Sequence, residues 1–193
     1  MILLSQLRRH WILAAAALTA AALFIDALWI PVKAELAQYL LARSWQQTLA
    51  GKPDAKPWPW ADTRAIAELE VPRLNQREII LEGSSGRNLA FGPTLLNLTP
   101  IELTHDRILS AHRDTHFRFL EQLETGDLLR LTTADGVQEY RVSWSEVVDS
   151  REQSLVIDNH QSRLTLLTCY PFDAVAAGSP LRWVVTAVAV HSS

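Results

Sequence analysis

Leu128-Leu129-Arg130-Leu131-Thr132-Thr133-Ala134-Asp135-Gly136-Val137-Gln138-Glu139-Tyr140-Arg141-Val142-Ser143-Trp144 holds two β-favouring runs joined by an Asp-Gly turn. Tyr140, Val142 and Trp144 alternate with Arg141 and Ser143, so this run should bury one face and wet the other. Other short apolar runs lie at 68–71, 78–81, 107–111, 147–148, 155–157, 164–168 and 182–190. Phe117, Leu120 and Leu123, at i, i+3 spacing, predict one short helix after His116. Many short strands with Gly, Pro and Asp between them predict a mainly β domain, a barrel or a sandwich.

The chain has 193 residues, enough for one globular domain with appendages. With 48% hydrophobic and 20% charged residues, most of it should fold. A net charge of -3 and the lack of a Lys/Arg-rich run argue against a nucleic-acid partner. The single cysteine excludes an internal disulfide and a thiolate-rich zinc site.

Residues 11–30 are apolar apart from Thr19 and Asp26 and would reach about 30 Å as a helix, the thickness of a bilayer core. Arg8, Arg9 and His10 precede them, which predicts a cytoplasmic N-terminus and an outward-facing remainder. A cleaved signal peptide is the alternative, but this run is longer than the usual ~7–15-residue apolar core. Residues 33–48 predict a separate juxtamembrane helix, with Leu36, Leu40 and Trp45 on one face beside Ala37 and Leu41. Gly51, Pro53, Pro57 and Pro59 then predict a stiff, extended spacer in which Trp58 and Trp60 pack on the domain edge. The expected organisation is a cytoplasmic tail (1–10), a transmembrane anchor (11–31), a juxtamembrane helix with a Pro/Trp-rich linker (32–60) and a β domain (61–193).

Three residues could carry chemistry. Cys169 ends an apolar run, and Pro171 stops any continuation as a central strand, so the thiol should sit at a strand end. A buried structural cysteine is the alternative. His112 follows a second apolar run and has the side chain best suited to moving protons near neutral pH. Arg182 opens the last run and could support a developing oxyanion, or be a solvated strand-start residue. His105, His112 and His116 form a rival metal site, but the i, i+4 spacing of the last two works only on a shared helix.

Thr165-Leu166-Leu167-Thr168-Cys169 resembles the TLxTC signature of the sortases. Ala111-His112-Arg113-Asp114-Thr115 resembles their catalytic-histidine segment, Thr125-Gly126-Asp127 the GD turn after it, and Leu181-Arg182-Trp183-Val184-Val185 their catalytic-arginine strand. The variant looks closest to the marine proteobacterial, Gram-negative type, akin to class D. The resemblance implies an eight-stranded sortase-type β-barrel with short helices and a cysteine transpeptidase activity without cofactors. Cys169 would attack an LPXTG-like sorting signal on a secreted protein. His112 would shuttle protons to and from the leaving and acceptor amines, and Arg182 would hold substrate and oxyanion. Thr168 and Tyr170 would shape the substrate wall. Hydrolysis of the same acyl-enzyme, or an idle peptide-binding barrel on a membrane tether, are the alternative outcomes. Ser110-Ala111 stands where such enzymes usually carry a Gly before the histidine, so this loop should be stiffer and differently shaped.

Overall fold

The computed structural model describes residues 2–96, 106–153, 162–175 and 178–190. It divides into two compact units, Met1–Tyr39 and Leu40–Ser193. One helix, α1 (Ile2–Leu49), replaces the two expected. Pro31 lies inside it and does not divide it. In the first unit Trp11, Leu18, Leu23, Phe24 and Ile25 are all exposed, and the helix is long and apolar enough to cross a membrane.

The last turns of α1 belong to the second unit. There Leu41, Ser44, Trp45 and Thr48 are buried, a face rotated from the one expected. The reason is polar pairing that periodicity of apolar residues does not report. Trp45 Nε1 donates to Glu68 Oε2 at 3.1 Å, and Ser44 Oγ donates to the Ala55 carbonyl at 2.6 Å. The Pro-rich segment is therefore drawn back into turns rather than extended. Lys56 Nζ closes it on the Ala61 carbonyl at 3.0 Å. Trp58 packs edge-on against Phe91, as expected, whereas Trp60 is 83% exposed.

The remainder is a closed eight-stranded barrel. Its strands are β1 (Ala65–Val71), β2 (Gln76–Leu81), β3 (Thr94–Leu95), β4 (Asp106–Ser110), β5 (Leu128–Thr133), β6 (Gly136–Asp149), β7 (Arg163–Cys169) and β8 (Leu181–Ala189). They close in the order β1-β2-β3-β4-β7-β8-β6-β5. The expected run at 155–157 lies outside the described residues. A short helix, α2 (Gly86–Leu89), precedes β3. The core holds Leu69, Ile80, Leu109, Phe117, Leu120, Leu129, Tyr140, Leu164, Leu166 and Val185. Phe117, Leu120 and Leu123 are buried along a 3-10 turn (Arg118–Gln122), whose period of three suits their spacing.

The β5–β6 hairpin forms, with a shifted turn. Thr133 pairs with Gly136, so Ala134 and Asp135 make the loop and Gly136, at φ 141°, opens β6. Residues 147–148 are not a separate strand but the far end of β6. Tyr140 and Val142 are buried as the alternation predicts, yet Trp144 is 44% exposed. A bulge between Val142 and Trp144 in the β6–β8 pairing adds one residue and flips the facing of everything beyond it.

The GD turn has a physical basis. Gly126 sits at φ 99°, and its N–H reaches the Val142 carbonyl at 2.8 Å. Asp127 is buried and takes Arg73 Nε and Nη2 on its two oxygens, with a third hydrogen bond from the Glu124 N–H. The Arg73 hydrogen bonds hold the Asp127 carboxyl below its usual range against the cost of burial. A lowered carboxylate stabilises the fold above the unfolded-state pKa, near 3.9, and that contribution is lost as pH falls through the lower folded value. Asp127→Asn should therefore cost about 1 kcal/mol at pH 7, after allowing for solvent around half-exposed Arg73. Denaturation series from pH 7 to pH 2 should show a smaller acid-induced loss in the variant.

Candidate active site

β7 lies between β4, to which it is parallel, and β8, to which it is antiparallel. The β4–β7 register ends with Ser110 opposite Leu167. It continues one step, because the Ala111 N–H donates to the Leu167 carbonyl at 3.3 Å. That carries His112 level with Cys169. On the other side, Cys169 is the register partner of Arg182. Neighbouring strands stand about 5 Å apart, so His112, Cys169 and Arg182 follow one another across three strands at one rim.

Their facing follows from the pleat. Ala111 and Phe172 are in the core, Trp183 packs against it, and Thr168 is buried. Residues next to inward-facing positions in a strand point outward, and residues directly opposite share a face. Cys169 and Arg182 thus share the outer face, and His112 follows inward-facing Ala111 just past the end of β4. His112 is exposed, while Cys169 and Arg182 are half-buried. Cys169 is a free thiol.

Each site residue is held by its neighbours. The Thr168 hydroxyl donates to the Ala111 carbonyl at 2.8 Å, and Thr168 is 2% exposed. Instead of lining a substrate wall, as expected, its side chain turns inward and ties β7 to the residue before His112. Ala111, in the place of the expected glycine, is an ordinary core residue of this junction, while the approach at 97–105 lies outside the described residues. Tyr170 stacks on Trp183 with ring centroids 5.8 Å apart, and Phe172 meets both rings edge-on at 6.1 Å. This aromatic cluster starts one residue past the thiol.

Arg182 Nη1 donates to the Ser179 and Leu181 carbonyls at 2.6 and 2.8 Å. Ser150 fixes the same loop, donating from its N–H and its Oγ to the Pro180 carbonyl. Asp149, opposite Leu181, is pulled down to about 2, chiefly by side-chain and backbone hydrogen bonds from Arg151, with a smaller contribution from the Arg182 charge. A permanent carboxylate therefore stands near Arg182.

Two of the three histidines of the rival metal site lie among the described residues. His116 Nδ1 pairs with Glu78 Oε2 at 2.7 Å, and Glu78 Oε1 also accepts from Gln76 at 3.2 Å. His112 and His116 are separated by a turn, not placed on a helix. His105 lies outside the described residues. Among the described residues no group of three or more His, Cys, Asp or Glu is arranged to hold a metal.

Two arginines escaped the sequence reading. Arg113 Nη1 and Nη2 donate to the Pro171 and Ala174 carbonyls, and Arg118 Nη1 to the Phe172 carbonyl. Their only signal was position, both falling within six residues after His112.

A family model described as the sortase domain matches residues 69–190. Sortase D of Bacillus subtilis (strain 168) is 35% identical over 125 residues, covering 63% of this chain and 62% of that protein. Sortase A of Listeria monocytogenes serovar 1/2a (strain ATCC BAA-679 / EGD-e) is 25% identical over 108 residues, covering 54% of this chain and 49% of that one. The chain thus matches between about half and about three-fifths of the length of these relatives. Among solved structures, Streptococcus agalactiae Sortase C1 superposes with a TM-score of 0.58 at 25% identity over 67% of this chain and 69% of that one. A Clostridium perfringens Sortase D5 transpeptidase shares the fold, with a TM-score of 0.64 at 19% identity over 81% and 99% of the two chains. With a matched domain, a closed eight-stranded barrel and its resemblance to Sortase D, the chain belongs to the sortase family, on its class D-like side.

Proposed function

We propose that the protein is a membrane-anchored cysteine transpeptidase that joins a sorting-signal protein to an amine. The observation that carries this is the strand register, which pairs Cys169 with Arg182 and ends β4 two residues before His112 at the same rim. The Cys169 thiolate attacks the scissile carbonyl of an LPXTG-like signal, forming a C–S bond. Arg182, with its charge held at the rim, supports the oxyanion of the tetrahedral intermediate. As the C–N bond breaks, the His112 imidazolium gives its proton to the departing amine. The acceptor amine then attacks the thioester, neutral His112 takes its proton, and the Cys169 thiolate leaves. Tyr170, stacked on Trp183 against the core, backs the wall from which the acyl chain extends. No cofactor is needed in this sequence of steps.

The apolar part of α1 is the anchor. Arg8, Arg9 and His10 before it favour an N-terminus inside, with the barrel on the extracytoplasmic side of the cytoplasmic membrane, where secreted substrates pass. Water in place of the amine would make the enzyme a hydrolase of the same signal.

Incubation of the full chain in detergent with LPXTG-like peptides and an amine should give a thioester adduct on Cys169 and a ligated product, both visible by mass spectrometry. Cys169→Ala should abolish both. Arg182→Ala should lower kcat by about 10²- to 10³-fold, the range for losing one oxyanion donor. Absence of adduct across a broad peptide library would refute the reading, and product without amine would make the protein a hydrolase.

Thr168→Val separates positioning from contact. Losing the buried hydroxyl leaves the Ala111 carbonyl without its partner and should cost about 1–3 kcal/mol of stability. Because the hydroxyl faces away from substrate, kcat should fall while KM is little changed, as steady-state kinetics would read.

A further inference from the structure

We propose that Arg113 is a positioning residue that fixes the Cys169 thiol against the His112 imidazole by tying the chain just past one to the chain just past the other. The proposal rests on the assignment of Cys169 and His112 as a reacting pair and extends it to a residue with no chemistry of its own.

Arg113 is 7% exposed, although the side chain always carries charge. Its planar fork spans one loop. Nη1 donates to the Pro171 carbonyl at 2.6 Å and Nη2 to the Ala174 carbonyl at 2.7 Å, while Nε meets the carboxylate of exposed Asp114 at 3.2 Å. Arg118 Nη1 adds the Phe172 carbonyl at 2.6 Å, with its guanidinium 6.0 Å from the Phe172 ring centroid. The segment after His112 thus grips three carbonyls of the segment after Cys169.

Stability alone does not account for Arg113. Removing a guanidinium from water is expensive, and an apolar side chain of similar volume often serves a core as well or better. An arginine does offer two parallel donors in a rigid plane, which fix separation and orientation together. Such control matters here because Cys169 is the last residue of β7 and His112 lies beyond the end of β4. Past Cys169 the pairing with β8 continues for one residue, the Tyr170 N–H donating to the Leu181 carbonyl at 3.0 Å, before the loop begins, and His112 stands beyond the last β4–β7 register pair. A displacement of about 1 Å between reacting groups can cost about 10²-fold in rate.

The test is a double-mutant cycle read on the thiol, independent of any sorting peptide. Full-length protein in detergent is alkylated with iodoacetamide from pH 5 to pH 10, and the midpoint of the rate profile is recorded. Cys169 is the only cysteine, so every S-alkylated cysteine, read by peptide mapping, reports this site. Charged and titratable side chains next to the pair in chain, register or hydrogen bonding include Asp114, Arg118, Asp149, Tyr170, Asp173 and Arg182, and these are common to all variants. In the otherwise unchanged chain, His112→Ala should move the midpoint by about one pH unit, as expected when a charge within about 4–6 Å is removed. In an Arg113→Met background the same change should move it by less than a third as much. Arg113→Lys keeps the charge and loses the fork, so it should behave as Arg113→Met does. It also carries the cycle if the methionine variant does not fold. Equal His112→Ala shifts with and without Arg113 would overturn the proposal and leave the Cys–His pair standing, and so would an Arg113→Lys variant indistinguishable from the natural chain. No His112→Ala shift in any background would overturn the proposal together with the pair it rests on.

Discussion

The parallel pairing of β4 with β7 is the constraint on which the candidate site depends. Parallel neighbours finish at the same end of a sheet, so the residues just past two such strands meet at one rim. The antiparallel neighbour β8 begins at that rim. One register thus gathers a residue after β4, the last residue of β7 and the second residue of β8. A slip of one residue in β7 would turn Cys169 into the core and Thr168 out of it. The buried Thr168 hydroxyl, which donates to the Ala111 carbonyl across the pair, opposes that slip.

Guanidinium groups hold the loops around this frame. Arg73 grips Asp127 and the Gln122 carbonyl, Arg141 the Gly126 carbonyl, and Arg113 and Arg118 the loop past Cys169. A domain of this size could instead staple loops with disulfides in an oxidising compartment. Here the one cysteine is the proposed nucleophile, and any disulfide partner would remove the thiolate. Arginine to backbone carbonyl is a staple that leaves thiol chemistry undisturbed.

The strands around the site were legible in the sequence because their cues are local. The run before Cys169, the Pro171 stop and the start of β8 sit within a residue of their observed ends. Tyr140 and Val142 could be assigned to the core from alternation alone. Trp144 could not, because a bulge is a property of two paired strands and the pattern of one strand does not carry it. The two-residue β3 leaves too few positions for any period. The buried face set by Trp45 and Ser44 depends on partners more than ten residues away. Arg113 was invisible as a positioning group because its partners are backbone carbonyls, which carry no residue identity.

That last point bears on the chemistry. Under the proposed reading the site accepts a protein chain and has to lie open at the surface, and exposed His112 and half-buried Cys169 fit that need. Openness has a cost, because water weakens the electrostatic coupling between imidazole and thiol. Bringing the two closer to bulk solvent therefore shifts the burden from dielectric environment to geometry. Rigid mounting from beneath answers it: Thr168 pins the start of the His112 segment, Arg113 pins the loop that leaves Cys169, and Ser150 and Ser179 steady Arg182. On that proposal the outer face stays open to substrate, and the precision of the site lies in the layer below it.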